Sequence, residues 1–158
     1  MKKRVITVFL LFMTTLSCIT MPSLAIDAPL SPENRVVVAL PARASDYLSS
    51  YSIALTARNN RRMIVTMDVT AVRTMNKVGC LTLIIEKKVG GSWYEVDTLI
   101  GSDDPDLFYS YNTADYFQEY SFYGEEGVQY RVTMTAYARD DSGFDTGEVT
   151  SYTETCRS

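Results

Sequence analysis

Three carboxylates crowd into four positions at Asp103, Asp104 and Asp106, and three aromatics, Phe108, Tyr109 and Tyr111, follow at once. Carboxylates this close together offer several hard oxygen ligands, the kind calcium takes. Asp140, Asp141 and Asp145, around Gly143, form a second group of the same type. Neither has the spacing of a twelve-residue EF-hand loop, and acids in loops also serve as solvated turn formers. Calcium at Asp103, Asp104 and Asp106 is therefore one expectation, with turn formation as its plain alternative. Tyr109 and Tyr111 share a parity and could form a stacking platform for a sugar or a peptide. Trp93 follows the Gly90-Gly91 turn and has Tyr94 at opposite parity, so one of the two faces outward. Trp93, Tyr109 and Tyr111 are the candidate ligand-binding residues. Aromatics are also favoured in strands for packing alone, which is the competing account of all three.

Catalysis fares worse. The chain has no His, which removes the commonest general base, the Ser-His and Cys-His pairs and the commonest zinc ligand. It also lacks a phosphate-cradling glycine motif. Asp104 with Asp106 could form the carboxylate pair of a glycoside hydrolase, but both fall in a solvated acidic loop where neither acquires a raised pKa. The expectation is a protein that is not an enzyme and has no cofactor beyond the possible calcium.

The elements that must position these residues are strands. In Gly127–Arg139 (GVQYRVTMTAYAR), Tyr130, Val132, Met134, Ala136 and Ala138 share one parity, and Arg131, Thr133, Thr135, Tyr137 and Arg139 the other. Successive strand side chains point to opposite faces, so the first set suits a core and the second water. Tyr130, just past a Gly-containing loop, is placed like the tyrosine corner of immunoglobulin-like sandwiches, in which the phenol tethers the loop by a hydrogen bond; a Tyr merely packing at a strand end is the alternative. The same alternation places Tyr51, Ile53 and Leu55 inward, then Met63, Val65, Met67, Val69 and Ala71, then Leu81, Leu83 and Ile85. Asn59-Asn60, Gly90-Gly91 and Asp140–Gly143 read as turns, and residues 101–114 as a loop. Seven strands with short connections and no convincing helix predict an all-β fold. The pattern is that of an antiparallel immunoglobulin- or fibronectin-III-like sandwich over residues 46–158.

Residues 26–45, with Pro29, Pro32 and Pro41, read as an extended lead-in in which Val36-Val37-Val38 could add an edge strand. Residues 1–25 read as a signal peptide: Lys2, Lys3 and Arg4, an apolar run from Val5 to Met13, and Ser23-Leu24-Ala25 before the cut. An uncleaved anchor and a lipoprotein cut before Cys18 are the alternatives, but the apolar run is short for a membrane span. Losing Lys2, Lys3 and Arg4 from 15 basic against 19 acidic side chains takes the net charge from −4 to −7. Such a surface repels nucleic acid and anionic lipid, so neither is an expected partner. Cys80 and Cys156 would remain. An even count in an exported chain argues for a disulfide. Their positions at opposite strand ends argue against it, so two free thiols are the favoured reading.

Met75-Asn76-Lys77-Val78-Gly79, the strand Leu81–Glu86, Gly91-Ser92-Trp93, Tyr130-Arg131-Val132 and Ala136-Tyr137-Ala138 together carry a resemblance. Over roughly residues 63–153 the chain resembles small exported proteins of Gram-positive bacteria known only as a domain of unknown function. The resemblance implies a secreted sandwich and carries over no catalytic residue. The combined expectation is a secreted, non-catalytic binding or interaction module for a glycan, a wall polymer or a protein. The alternative is a structural or self-associating cell-surface component, against which the charges of Glu148 and Glu154 on the final strand weigh mildly.

Overall fold

A computed structural model describes residues 35–41 and 45–158. The chain divides into two units, 1–30 and 31–158, and the described residues all belong to the second. The signal peptide (1–25) and most of the lead-in (26–45) lie outside the described residues.

The fold is all-β and antiparallel. Its elements are β1 (Val36–Ala39), β2 (Leu48–Ala57), β3 (Arg62–Val89), β4 (Ser92–Ile100), the one-turn helix α1 (Pro105–Phe108), β5 (Tyr109–Tyr123), β6 (Gln129–Arg139), β7 (Phe144–Thr150) and β8 (Glu154–Thr155). The eight strands belong to one hydrogen-bonded sheet. The count differs from seven for three reasons. The stretches 62–73 and 79–88 are one continuous strand, the lead-in supplies β1 on the edge of β2, and the polar tail breaks after Thr150 and returns as β8.

β3 organises the sheet. Its first half lies between β2 and β5, with Met67 opposite both Ile53 and Gln118. Its second half lies between β6 and β4, with Leu83 opposite both Met134 and Leu99. The halves meet at a bulge between Thr70 and Met75, where β5 also turns at Asn112 with φ of 54°. Extra residues on one strand bend it and add twist. The sheet therefore curls, and β2 comes close to β6 and β7 without pairing with either.

The core lies inside the curl and follows the predicted parities. Met63, Val65, Met67 and Val69 of β3 are fully buried, as are Ile53, Leu83, Val132 and Met134. Full burial of side chains of this size contributes roughly 1.5–3 kcal/mol each, which fixes the register, because a one-residue slip would turn them all to water. Leu81 departs from the pattern. It is only half-buried, because a second bulge between Cys80 and Thr82 takes it out of alternation. The Tyr130 tether is present: the Glu125 N–H donates to the Tyr130 hydroxyl at 2.9 Å, and the ring is buried against Phe122.

Cys80 and Cys156 are free, buried thiols. The Cys80 thiol donates to the Thr82 carbonyl at 3.1 Å, and burial pushes its pKa up to about 12. The Cys156 thiol points at the Arg61 carbonyl instead.

Candidate functional site

The first acidic cluster is spent on local structure. Asp104 is the N-cap of α1 and accepts from the Leu107 N–H at 3.4 Å, while Asp106 sits in the first turn, where a negative charge suits the helix N-terminus. Asp103 stays exposed beside Ser102. Among the described residues no three acidic, Cys or His side chains converge as a metal-ligand group. Asp104 and Asp106 thus have the local roles that the turn-forming alternative expects. Asp103 and Asp104 do border a recess of about 190 Å³ between Leu99, Leu107, Phe108 and Tyr120. That is smaller than the usual range for small-molecule sites, about 300–1,000 Å³.

The second cluster is spent in the same way. Asp140 accepts from the N–H groups of Ser142 and Gly143 and from Arg73 at 2.6 Å. The Ser142 N–H first, then Arg73, hold its carboxyl below the ordinary value. Asp141 accepts from the Asn76 amide at 2.6 Å, and Asp145 from the Thr146 N–H.

Trp93 is placed on the outer face of the sheet, opposite Lys88, but its ring is already engaged. The Arg131 guanidinium lies 4.5 Å from the ring centroid. The same guanidinium donates twice to Glu86, at 2.6 and 2.9 Å, and those hydrogen bonds raise its pKa further. Trp93 therefore takes part in a structural stack with Arg131 and Glu86, which is the packing account of this residue.

Tyr109 and Tyr111 are not in a loop. Both belong to β5, because residues 109–113 pair with Gly79–Met75 of β3. Tyr109 is buried at 6% exposure and so cannot serve as half of an open platform, whereas Tyr111 is exposed at 53%. The register shows why. On the outer face, Lys77 is opposite Tyr111 on one side and Arg139 on the other, and Arg139 is opposite Phe144. The next row is Tyr109, Gly79, Tyr137 and Thr146. Gly79 leaves a gap that the two flanking tyrosines fill, with ring centroids 6.2 Å apart in an edge-to-face arrangement. Its φ of 157° and the Phe108 carbonyl oxygen against its α-carbon leave no room for a Cβ.

Lys77 lies over this floor, its ammonium 3.4 Å from the Tyr109 centroid, 5.9 Å from Tyr111 and 6.0 Å from Tyr137. Phe144, 63% exposed, packs against Tyr137 at 5.9 Å. Among the described residues neither Lys77 nor Arg139 has an ion-pair partner, since the carboxylates of the nearby turn are taken by Arg73 and Asn76. Desolvation, with Arg139 as a second cause, lowers the Lys77 pKa. Burial first, then nearby Cys80 and Tyr137, raises that of Tyr109. The result is a cationic, aromatic row flanked by two exposed rings.

Of the sequence candidates only Tyr111 stays available to a ligand here. Lys77, Arg139, Tyr137 and Phe144 were missed. Arg139 is exposed as its water-facing parity expects, but Tyr137, read as facing water too, is buried at 8% because it packs against Tyr109 in the gap at Gly79, and nothing in the sequence sets either beside Lys77. Comparison of the chain with protein-family models, with curated proteins and with solved structures finds no match.

Proposed function

We propose that this protein is a secreted, non-catalytic binding module of immunoglobulin-like sandwich type, similar to the small exported Gram-positive proteins its motifs resemble. Its ligand meets the outer face of β5, β3, β6 and β7. The observation that carries the reading is the row Tyr111, Lys77, Arg139 and Phe144, which presents two exposed aromatic side chains around two cations without carboxylate partners. Exposed aromatics that bury area at small entropic loss are the usual anchors of binding surfaces. The curled antiparallel sheet and the Tyr130 tether support the immunoglobulin-like assignment.

The test is retention of the mature domain on insoluble polysaccharides, mucin and isolated cell walls. The expected result is retention on one matrix that Tyr111→Ala and Phe144→Ala abolish together. Retention indifferent to both substitutions removes the site.

The structural or self-associating reading has one observation in its favour. Among the described residues β4 pairs with β3 alone and exposes Tyr94, Val96 and Ile100, and an unpaired edge of this kind invites strand addition. Size-exclusion chromatography separates the two, because ladders of assemblies favour that reading and a monomer favours the binding module.

A further inference from the structure

Resting on that reading of the outer face, the geometry points to a ligand class: a glycan carrying an isolated carboxylate, such as a terminal acidic sugar, bound between Tyr111 and Phe144 with its carboxylate on Lys77 and Arg139. Four properties of the row lead there. Adjacent strands lie about 4.8 Å apart, so three spacings set Tyr111 and Phe144 roughly 14 Å from each other across the row, wide enough for a sugar ring and its substituents. Both rings are exposed, at 53% and 63%, and can stack on the apolar faces of sugar rings. The two central cations are adjacent in register and have no ion-pair partner among the described residues. A carboxylate accepting from both would form charge-assisted hydrogen bonds, about twice as strong as neutral ones. It would also relieve the mutual repulsion by which Arg139 helps to lower the Lys77 pKa.

Charge decides between one carboxylate and many. The full chain has a net charge of −4, and its mature form by the sequence reading −7. The turn beside the site carries Asp140 and Asp141. A polyanion running along the sheet would bring many charges against a protein whose net charge is already negative. A single carboxylate between Lys77 and Arg139 adds only one negative charge there, and it faces two cations. The neighbouring floor favours a ring over a bare anion, because Tyr109 and Tyr137 already solvate the Lys77 ammonium through their π faces and leave its outward side for the ligand.

The experiment is titration of the mature domain with sialyllactose, lactose and polygalacturonate, using wild type, Lys77→Met, Lys77→Arg and Tyr111→Ala/Phe144→Ala. Thermal melts confirm that each variant is folded. The expected result is measurable affinity for sialyllactose, about tenfold weaker in Lys77→Met, largely restored in Lys77→Arg and lost in the aromatic double variant. Lactose and polygalacturonate should bind more weakly than sialyllactose. Equal affinity for lactose and sialyllactose, still lost in the double variant, overturns the carboxylate inference but leaves the binding face standing. Tighter binding of polygalacturonate overturns the single-carboxylate claim. No binding of any probe, together with no matrix retention sensitive to Tyr111 and Phe144, overturns both.

Discussion

The two ends of one sheet face hold the same ingredients and put them to different use. At one end Arg131 lies on Trp93, and at the other Lys77 lies on Tyr109. The difference is a single carboxylate. Glu86 stands directly opposite Arg131 in the ladder and takes both of its forward-pointing donors. Lys77 has Tyr111 and Arg139 opposite it instead, so its charge meets rings on one side and a like charge on the other. An Arg with a bidentate carboxylate and a stacked ring already has its charge matched, and a half-buried pair of this kind chiefly holds its strands in register. A Lys on aromatic rings without a counter-ion retains its own for a ligand. A cation over an aromatic ring is therefore not by itself a sign of a site, and its counter-ion has to be found first.

The largest effect belongs to the gap that builds the Lys77 end. Gly79→Ala would drive a Cβ into the Phe108 carbonyl oxygen at a backbone angle that L side chains rarely adopt. Overpacking and strain together should cost about 3 kcal/mol or more. Thermal or urea unfolding would show this as a large fall in midpoint, accompanied by loss of the tyrosine contact. A variant as stable as wild type would mean that Tyr109 and Tyr137 do not depend on the glycine, and the contrast between the two ends would lose its structural basis.

Next comes the saturated end. Arg131→Met removes both hydrogen bonds to Glu86 and leaves that carboxylate, whose side chain is only 18% exposed, without its partner. Both groups retain some water, so the expected loss is about 1 kcal/mol, read as a lower unfolding midpoint with no change in glycan binding. A binding defect in this variant would show that Trp93 and Arg131 belong to the site after all. In that case the two ends would have to be treated as one surface.

How much of this was legible in the sequence depends on which residues are asked about. The parity of Met63–Ala71 and of Tyr130–Ala138 named the core correctly, because a half-buried strand must alternate whatever its neighbours are. The Tyr130 tether was legible because it is local, spanning five residues. The role of Lys77 was not, because it depends on three registers that join β3 to β5, β6 to β3 and β7 to β6 across up to some sixty positions of chain. Two bulges intervene, and each shifts which side chains share a face, so counting residues from the alternating stretches misplaces 75–79. Tyr109 was misread for the same reason. Its neighbours Asp103–Asp106 read as a loop, but Pro105–Phe108 form a one-turn helix and the chain re-enters the ladder at Tyr109, so that 109–114, read as the last six residues of the loop, already belong to β5.

The smallest effect is the sharpest test of the comparison. Lys77 loses hydration and faces Arg139, so its folded-state pKa lies below the ordinary 10.5. Between the folded and unfolded values the unfolded chain binds more protons, and stability rises with pH across that interval. The penalty for the charged form is fully present below the folded value and gone above the unfolded one, the reverse of a lysine held by a carboxylate. Lys77→Met removes this penalty together with the attraction to the rings, worth about 0.5–1 kcal/mol at such sites, and the two changes oppose each other. At neutral pH the variant should match wild type within about 0.5 kcal/mol. As pH approaches 10.5, wild type should gain on Lys77→Met, while Tyr109, whose pKa is raised by burial, stays neutral beneath it. The measurement is the difference in unfolding free energy between the two proteins from pH 7 upward, in which ionisation of the other tyrosines drops out. A flat difference would mean that Lys77 is as hydrated as any surface lysine, and an opposite slope would mean that a carboxylate serves it, as Glu86 serves Arg131.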